Sequence, residues 1–468
     1  MSRRIAEPVA AGLAALVALA VALLVPTYPN YDAYYHLVWA RELLDGLKPS
    51  FEAYKAPTQH PLYLALCTLL APLGQDADRL LVLTCVVTFV ALVWGVFRVG
   101  DAVFGPWPGL AAAAFVASSF AFLLYAARAY VDVPFLAVVL WAAAIEARTP
   151  RRGVPVMALL AVAGLLRPEA WVLAGAYWLW CARRDAPRLD LLALALAAPV
   201  IWALVDLWVT GDPLHSLHAT SDLADELGRE RGVANVPGAF VRYLADTARP
   251  PVVLAALAGA ALAWRLRAGR SLHVVVGLLG AGALTFLVSG AAGLSILPRY
   301  LTVPAIGLCL LAGYGLLGFT TLAPGSPERR AWSRIAAVLL LAGLGFVAAR
   351  ASVVDRLVTE LRFIRSTHDD LVAILHTPQV ARGLACGPVT FPNYRLVPDT
   401  RWILDLPRGR VGARSARRRT RGAAIFVVGE KALRRYGFAD GASPSTNVPD
   451  PGFVRAVRRG AFVAYTAC

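Results

Sequence analysis

Apolar stretches recur along the chain from residue 8 to residue 349, separated by short polar loops. They fall at 9–26, 60–74, 79–97, 109–127, 133–147, 153–182, 189–209, 251–264, 272–289, 300–320 and 335–349. Many approach the ~20 apolar residues that a helix needs to cross a bilayer, so the pattern predicts membrane helices. Beyond residue 349 the pattern changes. Residues 353–376 carry apolar positions at helical spacing, 387–391, 402–406, 424–428 and 461–465 read as short strands, and 429–437 reads as a helix. The expected fold class is a polytopic α-helical membrane protein with about nine full spans plus re-entrant helices over residues 1–349. A small C-terminal α/β domain is expected over residues 350–468.

Basic residues orient the helices, because Lys and Arg accumulate in cytoplasmic loops. Arg3 and Arg4 place the N-terminus inside, and the run Val9–Pro26 reads as an uncleaved first helix. Residues 27–58 are then external, while Arg148-Thr-Pro-Arg-Arg152 is internal. Between residues 58 and 130 the chain must cross an even number of times, so one of three apolar stretches does not cross. The shortest, 60–74, is assigned as a re-entrant or interfacial helix. Residues 153–182 have basic flanks at both ends and Arg167-Pro168-Glu169 in the middle, which predicts a helical hairpin broken at Pro168. Continuing the count puts the loop 211–249 and the C-terminal domain on the external face of the plasma membrane.

Composition agrees with this class. The 468 residues are 58% hydrophobic and 16% charged, far from the balance of soluble domains, which excludes a string of soluble domains, disorder or a disulfide-rich miniprotein. The net charge of +16 suggests a nucleic-acid partner at first sight, but much of it flanks apolar segments, so no nucleic acid is expected. Only Lys48, Lys55 and Lys431 are lysines; the dominance of Arg and Ala points to a GC-rich bacterial source. Cys67, Cys85, Cys181 and Cys309 fall in apolar segments and read as small core residues. A Cys386–Cys468 disulfide and free thiols stand as equal alternatives. The block Arg408–Arg421 holds seven arginines, read as a solvated flexible loop or as a contact for anionic lipid or polymer.

Chemistry-bearing residues gather at one predicted membrane face. Asp32 and His36 are four apart, on one face of a helix, among Tyr31, Tyr34, Tyr35 and Trp39. An acid there can take a proton from an acceptor group, ligate a divalent cation or cap the helix. Lys55 and His60 follow. Asp132 comes after Arg128 and before Pro134, where it serves as a helix cap or a second acid. Pro298-Arg299-Tyr300 opens the 300–320 helix; Arg299 there is a phosphate clamp or a snorkelling side chain. His215 and His218 lie in the polar loop 211–236, with spacings that match no standard zinc site.

In order, these pieces resemble the GT-C superfamily of membrane glycosyltransferases that use polyprenyl-phosphate sugars, including its protein-mannosyltransferase-like and aminoarabinose-transferase-like members. The resemblance rests on Tyr31-Asp32…His36…Ala40-Arg41-Glu42, His60-Pro61-Leu62, Arg128…Asp132…Pro134, Leu166-Arg167-Pro168-Glu169, Gly211-Asp212-Pro213 and Pro298-Arg299-Tyr300. It implies inverting sugar transfer outside the membrane to a lipid, glycan or protein acceptor. Asp32 would be the base, Asp132 would orient acceptor or base, and Arg299 with Arg128 or Lys55 would hold the donor phosphate. His36, His60 and Tyr300 would contact substrate. Many members carry a second acid beside the first-loop Asp; Ala33 stands there in this chain. No metal ligand set or certain cofactor is implied, with a divalent cation left open. The rival classes are a transporter or flippase of a polar or lipid-linked substrate and a non-catalytic scaffold displaying the C-terminal domain.

Overall fold

The computed structural model describes residues 27–51, 55–183, 188–226, 228–266, 272–350, 352–437 and 447–468. The expected first helix, Val9–Pro26, lies outside the described residues. Helices α1 (Tyr31–Leu44), α2 (Pro61–Leu70) and α3 (Ala77–Phe104) come first. At ten residues, α2 is roughly 15 Å long, about half the thickness of a bilayer core. A 3-10 turn at Ala71–Asp76, with Gly74 at φ 67°, separates it from α3.

The expected single span at 109–127 is two helices, α4 (Pro106–Ala117) and α5 (Phe120–Ala127), bent by 61° at Ser118-Ser119. Helix α6 is Asp132–Arg148. The 153–182 segment is the broken hairpin that Pro168 predicts, α7 (Val154–Leu166) and α8 (Glu169–Ala182). Then come α9 (Leu189–Thr210), α10 (His215–Glu226), α11 (Val236–Ala248), α12 (Pro250–Arg265), α13 (Leu272–Ala291), α14 (Thr302–Leu317) and α15 (Pro327–Ala349). Proline opens α2, α4, α12 and α15, where its missing N–H costs nothing and its fixed φ suits the first turn.

Among the described residues five helices are long and apolar enough to cross a membrane, or seven if each of two bent pairs is one span. At 17 residues, α6 is a little shorter than these. The core is packed through small residues: a Cβ on Gly259 would collide with the Leu311 carbonyl, and one on Gly315 with the Ala255 carbonyl, so α12 and α14 touch backbone to backbone.

The C-terminal region comprises α16 (Ser352–Leu375), α17 (Pro378–Cys386), α18 (Val397–Ile403) and a five-stranded mixed sheet. Its strands are β1 (Val389–Phe391), β2 (Val411–Ala413), β3 (Gly422–Val427), β4 (Val454–Arg459) and β5 (Phe462–Ala467), in the order β2-β1-β3-β5-β4. β2, β1 and β3 run parallel, and β5 and β4 are antiparallel. The sheet corrects three expectations. Residues 402–406 are not a strand; they end α18 and turn away, with Trp402 buried. Residues 429–437 form one short helix, Glu430–Ala432, and a π turn, Leu433–Gly437. The arginine block is not simply a flexible loop, because it contains β2 and a fully buried Arg414 paired with Asp450 at 2.7 Å. Cys386 and Cys468 are joined as a disulfide that ties the end of α17 to the last residue of the chain.

Candidate active site

Two loops distant in sequence are latched by their own polar atoms. Asn30 caps α1 by accepting from the Ala33 N–H, and its Nδ2 donates to the carbonyls of Arg128 (2.9 Å) and Ala129 (3.2 Å). Arg128 returns the contact, donating to the carbonyls of Tyr28 (2.8 Å) and Pro29 (3.1 Å) with its guanidinium over the Tyr28 ring. Ala129, held at φ 52°, accepts from the Tyr63 hydroxyl at 2.6 Å. The latch sets the starts of α1 and α6 side by side. Asp32 and Asp132 therefore both sit in first turns, where the positive end of a helix favours a carboxylate.

Two arginines meet the two acids. Arg299, in the 3-10 turn Pro298–Leu301, places Nη1 3.3 Å from Asp32 Oδ2, and both side chains are about 30% exposed (28% and 31%). Arg167, at the break between α7 and α8, pairs with the wholly buried Asp132 and is clasped by Glu169 (Nε to Oε1, 3.0 Å). The Tyr300 ring faces both cations, 5.4 Å from the Arg167 guanidinium and 5.8 Å from that of Arg299. Asp132 keeps one oxygen, Oδ2, without a hydrogen-bond partner. Asp32 and Arg299 line a cavity with His36, His60, Tyr63 and Tyr130. It encloses only about 10 Å³, about the space of one water, so the ion pair is closed.

His36 is locked as a neutral imidazole. Its Nδ1 lies 2.7 Å from the Asp32 carbonyl, which can only accept, and its Nε2 accepts from the His60 N–H at 3.1 Å. Burial pushes its pKa down to about 4. The His60 ring stacks on His36 at 5.5 Å and meets Trp202 edge-on.

Of the residues singled out in the sequence, Asp32, Arg299, His36 and His60 share the cavity, and Asp132 and Tyr300 stand against it through the arginines. Arg128 and Lys55 are not among the residues that line it. The Arg128 guanidinium is directed at backbone carbonyls. Lys55 accepts the Tyr31 hydroxyl on its carbonyl and sets its ammonium 5.2 Å from the Tyr394 ring. His215 packs on Phe51 and His218 pairs with Asp212. No group of three or more His, Cys, Asp or Glu side chains able to hold a metal occurs among the described residues.

Sequence reasoning missed how the C-terminal region grips α1. The Arg41 guanidinium lies 3.4 Å from the Trp402 ring centroid, and Glu42 is paired with Arg401 (2.9 Å) and Arg408 (3.2 Å). The Tyr34 hydroxyl meets His368 Nε2 at 3.1 Å, and the Tyr28 and Tyr436 hydroxyls are 3.0 Å apart. The helix that carries Asp32 is thus held by the C-terminal region at Tyr34, Arg41 and Glu42.

The fold is that of ArnT. ArnT from Cupriavidus metallidurans bound to undecaprenyl phosphate matches with a TM-score of 0.55 and 14% identity, over 98% of this chain and 98% of that chain. Its apo state matches with a TM-score of 0.51 and 15% identity, over 99% and 98%. Neither a family model nor a curated protein matches the chain. The ArnT-like fold agrees with the architecture that the GT-C resemblance implied from the sequence.

Proposed function

We propose that this protein is an inverting glycosyltransferase that moves a hexose or pentose from a polyprenyl-phosphate donor to an acceptor on the outer face of the cytoplasmic membrane. The observation that carries the reading is the Asp32–Arg299 ion pair, partly exposed at the mouth of a buried polar cluster. The fold shared with a protein that binds undecaprenyl phosphate supports the class of donor. The basic loops predicted on the opposite side of the membrane support the outward orientation.

The donor phosphate competes with Asp32 for the Arg299 guanidinium. Binding the donor opens the ion pair, holds the phosphate and frees the Asp32 carboxylate. The acceptor hydroxyl oxygen then attacks the anomeric carbon as the bond to the phosphate oxygen breaks. The phosphate leaves with the bonding electron pair, and the proton goes to Asp32. One displacement inverts the anomeric centre. Asp132, fixed by Arg167, sets the position of α6 and keeps negative charge near Arg299. Arg128 has no phosphate role in this scheme, because its guanidinium closes the loop latch.

Sugar transfer by the purified protein, reconstituted with polyprenyl-phosphate sugars, tests the proposal. Asp32→Asn is expected to remove transfer and leave a folded protein. Near-normal turnover in both Asp32→Asn and Arg299→Ala overturns the site, and substrate flux across proteoliposomes with no transfer would make the protein a transporter.

A further inference from the structure

The positive charge of this chain is concentrated where no membrane topology demands it. Residues 350–468 hold 20 Lys and Arg against 9 Asp and Glu, a net +11 of the chain's +16. The sheet places part of that charge on one face. Paired residues on neighbouring strands share a face, so the register makes two rows: Ala424, Tyr465 and Arg455, then Phe426, Val463 and Arg458. Arg455 and Arg458 are exposed at the edge strand β4. The loop that follows β2 folds onto the same face, with the Arg414 guanidinium 5.1 Å from the Phe426 ring centroid, and it carries exposed Arg417 and Arg421. The carboxylate placed there, Asp450, is already taken by Arg414 and Arg418. Arg417, Arg421, Arg455 and Arg458 form no ion pair with an acid among the described residues.

The opposite face cannot meet a ligand. Its Ala423, Ile425, Val427, Phe462 and Ala464 are packed with Leu371, Ile374 and Leu375 of α16. That same helix packs Ile364 into the core of the membrane helices and stacks His368 on Tyr28. Helix α16 therefore lies between the sheet and the membrane bundle, and the arginine face looks away from the bundle. A bilayer lies on the wrong side of the domain for this face. A linear polyanion reaching it from the aqueous phase fits both its charge and its direction.

We propose that the outward face of the C-terminal sheet, through Arg455 and Arg458, binds a linear polyanionic polymer that bears phosphodiester or carboxylate groups. Guanidinium pairs bidentately with either group. The surface is separate from the Asp32–Arg299 cavity and does not depend on what that cavity does.

Full-length protein in nanodiscs of zwitterionic lipid, titrated with fluorescent linear polyphosphate and read by anisotropy, tests this. Binding is expected to weaken roughly tenfold or more between 50 and 200 mM salt, as release of counterions from a polyanion requires. Arg455→Gln with Arg458→Gln should weaken it roughly tenfold, and the corresponding double Lys variant should restore most of it. Retention of the disulfide and a monodisperse elution profile identify folded variants. Three results overturn the proposal: wild-type affinity in the double Gln variant, equal competition by neutral dextran, or equal competition by phosphatidylglycerol vesicles, which would make the partner a bilayer. Transfer activity is not read, so failure here leaves the glycosyltransferase proposal standing, and the reverse holds too.

Discussion

Arg299 Nη1 lies 3.3 Å from Asp32 Oδ2, although 267 residues separate the two in sequence. The pair is closed, and each partner is the other's counterion. Removing one partner or the other should therefore change different kinetic constants. Arg299→Ala should raise the KM for a polyprenyl-phosphate donor far more than that for the acceptor, and Arg299→Lys should fall between Ala and wild type, because an ammonium supplies charge without the planar fork. Asp32→Asn should instead lower kcat by about 10² to 10⁴, the range of a lost general base. Steady-state kinetics with each substrate varied separately check the split.

Glu42 is 4% exposed and held by Arg401 and Arg408 of the C-terminal region. Breaking a buried pair by removing one partner leaves an uncompensated charge and costs about 3–5 kcal/mol. Glu42→Ala should lower the unfolding temperature of the detergent-solubilised protein markedly. Arg408→Ala should cost less, since its side chain is 32% exposed. If α1 is positioned by this grip, Glu42→Ala also lowers kcat without any change in the chemistry of Asp32.

The helices, the break at Pro168 and the first-turn acids were legible because each has a local signature: a long apolar run, a proline between two charges, a polar residue ahead of a helix. The acid–arginine partnerships were not. Nothing near Arg167 in sequence says that it meets Asp132 rather than solvent. Arg128 resembled a phosphate ligand because a lone arginine after an apolar helix looks alike whether it faces a cavity or a carbonyl; only the crossing of residues 27–30 with 128–131 decides. In the C-terminal region, Trp402 sits among apolar residues that alternate like a strand, yet it ends a helix and joins the core of the membrane helices. β2 has only three residues inside an arginine-rich block, too short to show a period.

Two buried histidines give the protein a defined acid limit. Burial lowers His36 to about 4 and His368, beside Arg365 and Arg128, to about 3. Both folded values lie below the usual 6.5, so the unfolded chain binds more protons in between. This contribution to stability is fully present above about pH 6.5 and is lost as pH falls toward 4. Thermal unfolding followed from pH 7 to pH 4 should show a steep decline, made shallower by His36→Asn or His368→Asn.

Asp399 works in the opposite direction. It is buried in α18, its Oδ1 has no hydrogen-bond partner, and burial raises its pKa to about 7 against the pull of Arg128. The folded value lies above the unfolded one, so this group contributes stability at low pH that is lost as pH rises through 7. Asp399→Asn keeps the shape and removes the charge. It should leave stability nearly unchanged below about pH 4 and raise it at pH 8, the difference growing between about pH 4 and pH 7.

The Cys386–Cys468 disulfide spans 82 residues and fastens the end of α17 to the end of β5. Cross-linking a loop of that length restricts the unfolded chain, and losing such a bond from a small domain costs about 2–5 kcal/mol. Replacing both cysteines by Ser should therefore destabilise the C-terminal region. Because that region grips α1 through Trp402, Arg401 and Arg408, the loss should extend to the membrane helices. Limited proteolysis should cut the variant first within residues 350–468, and the wild-type protein should follow the same order once a reductant is added. A variant that keeps wild-type resistance would show that the grip on α1, rather than the disulfide, holds the C-terminal region together.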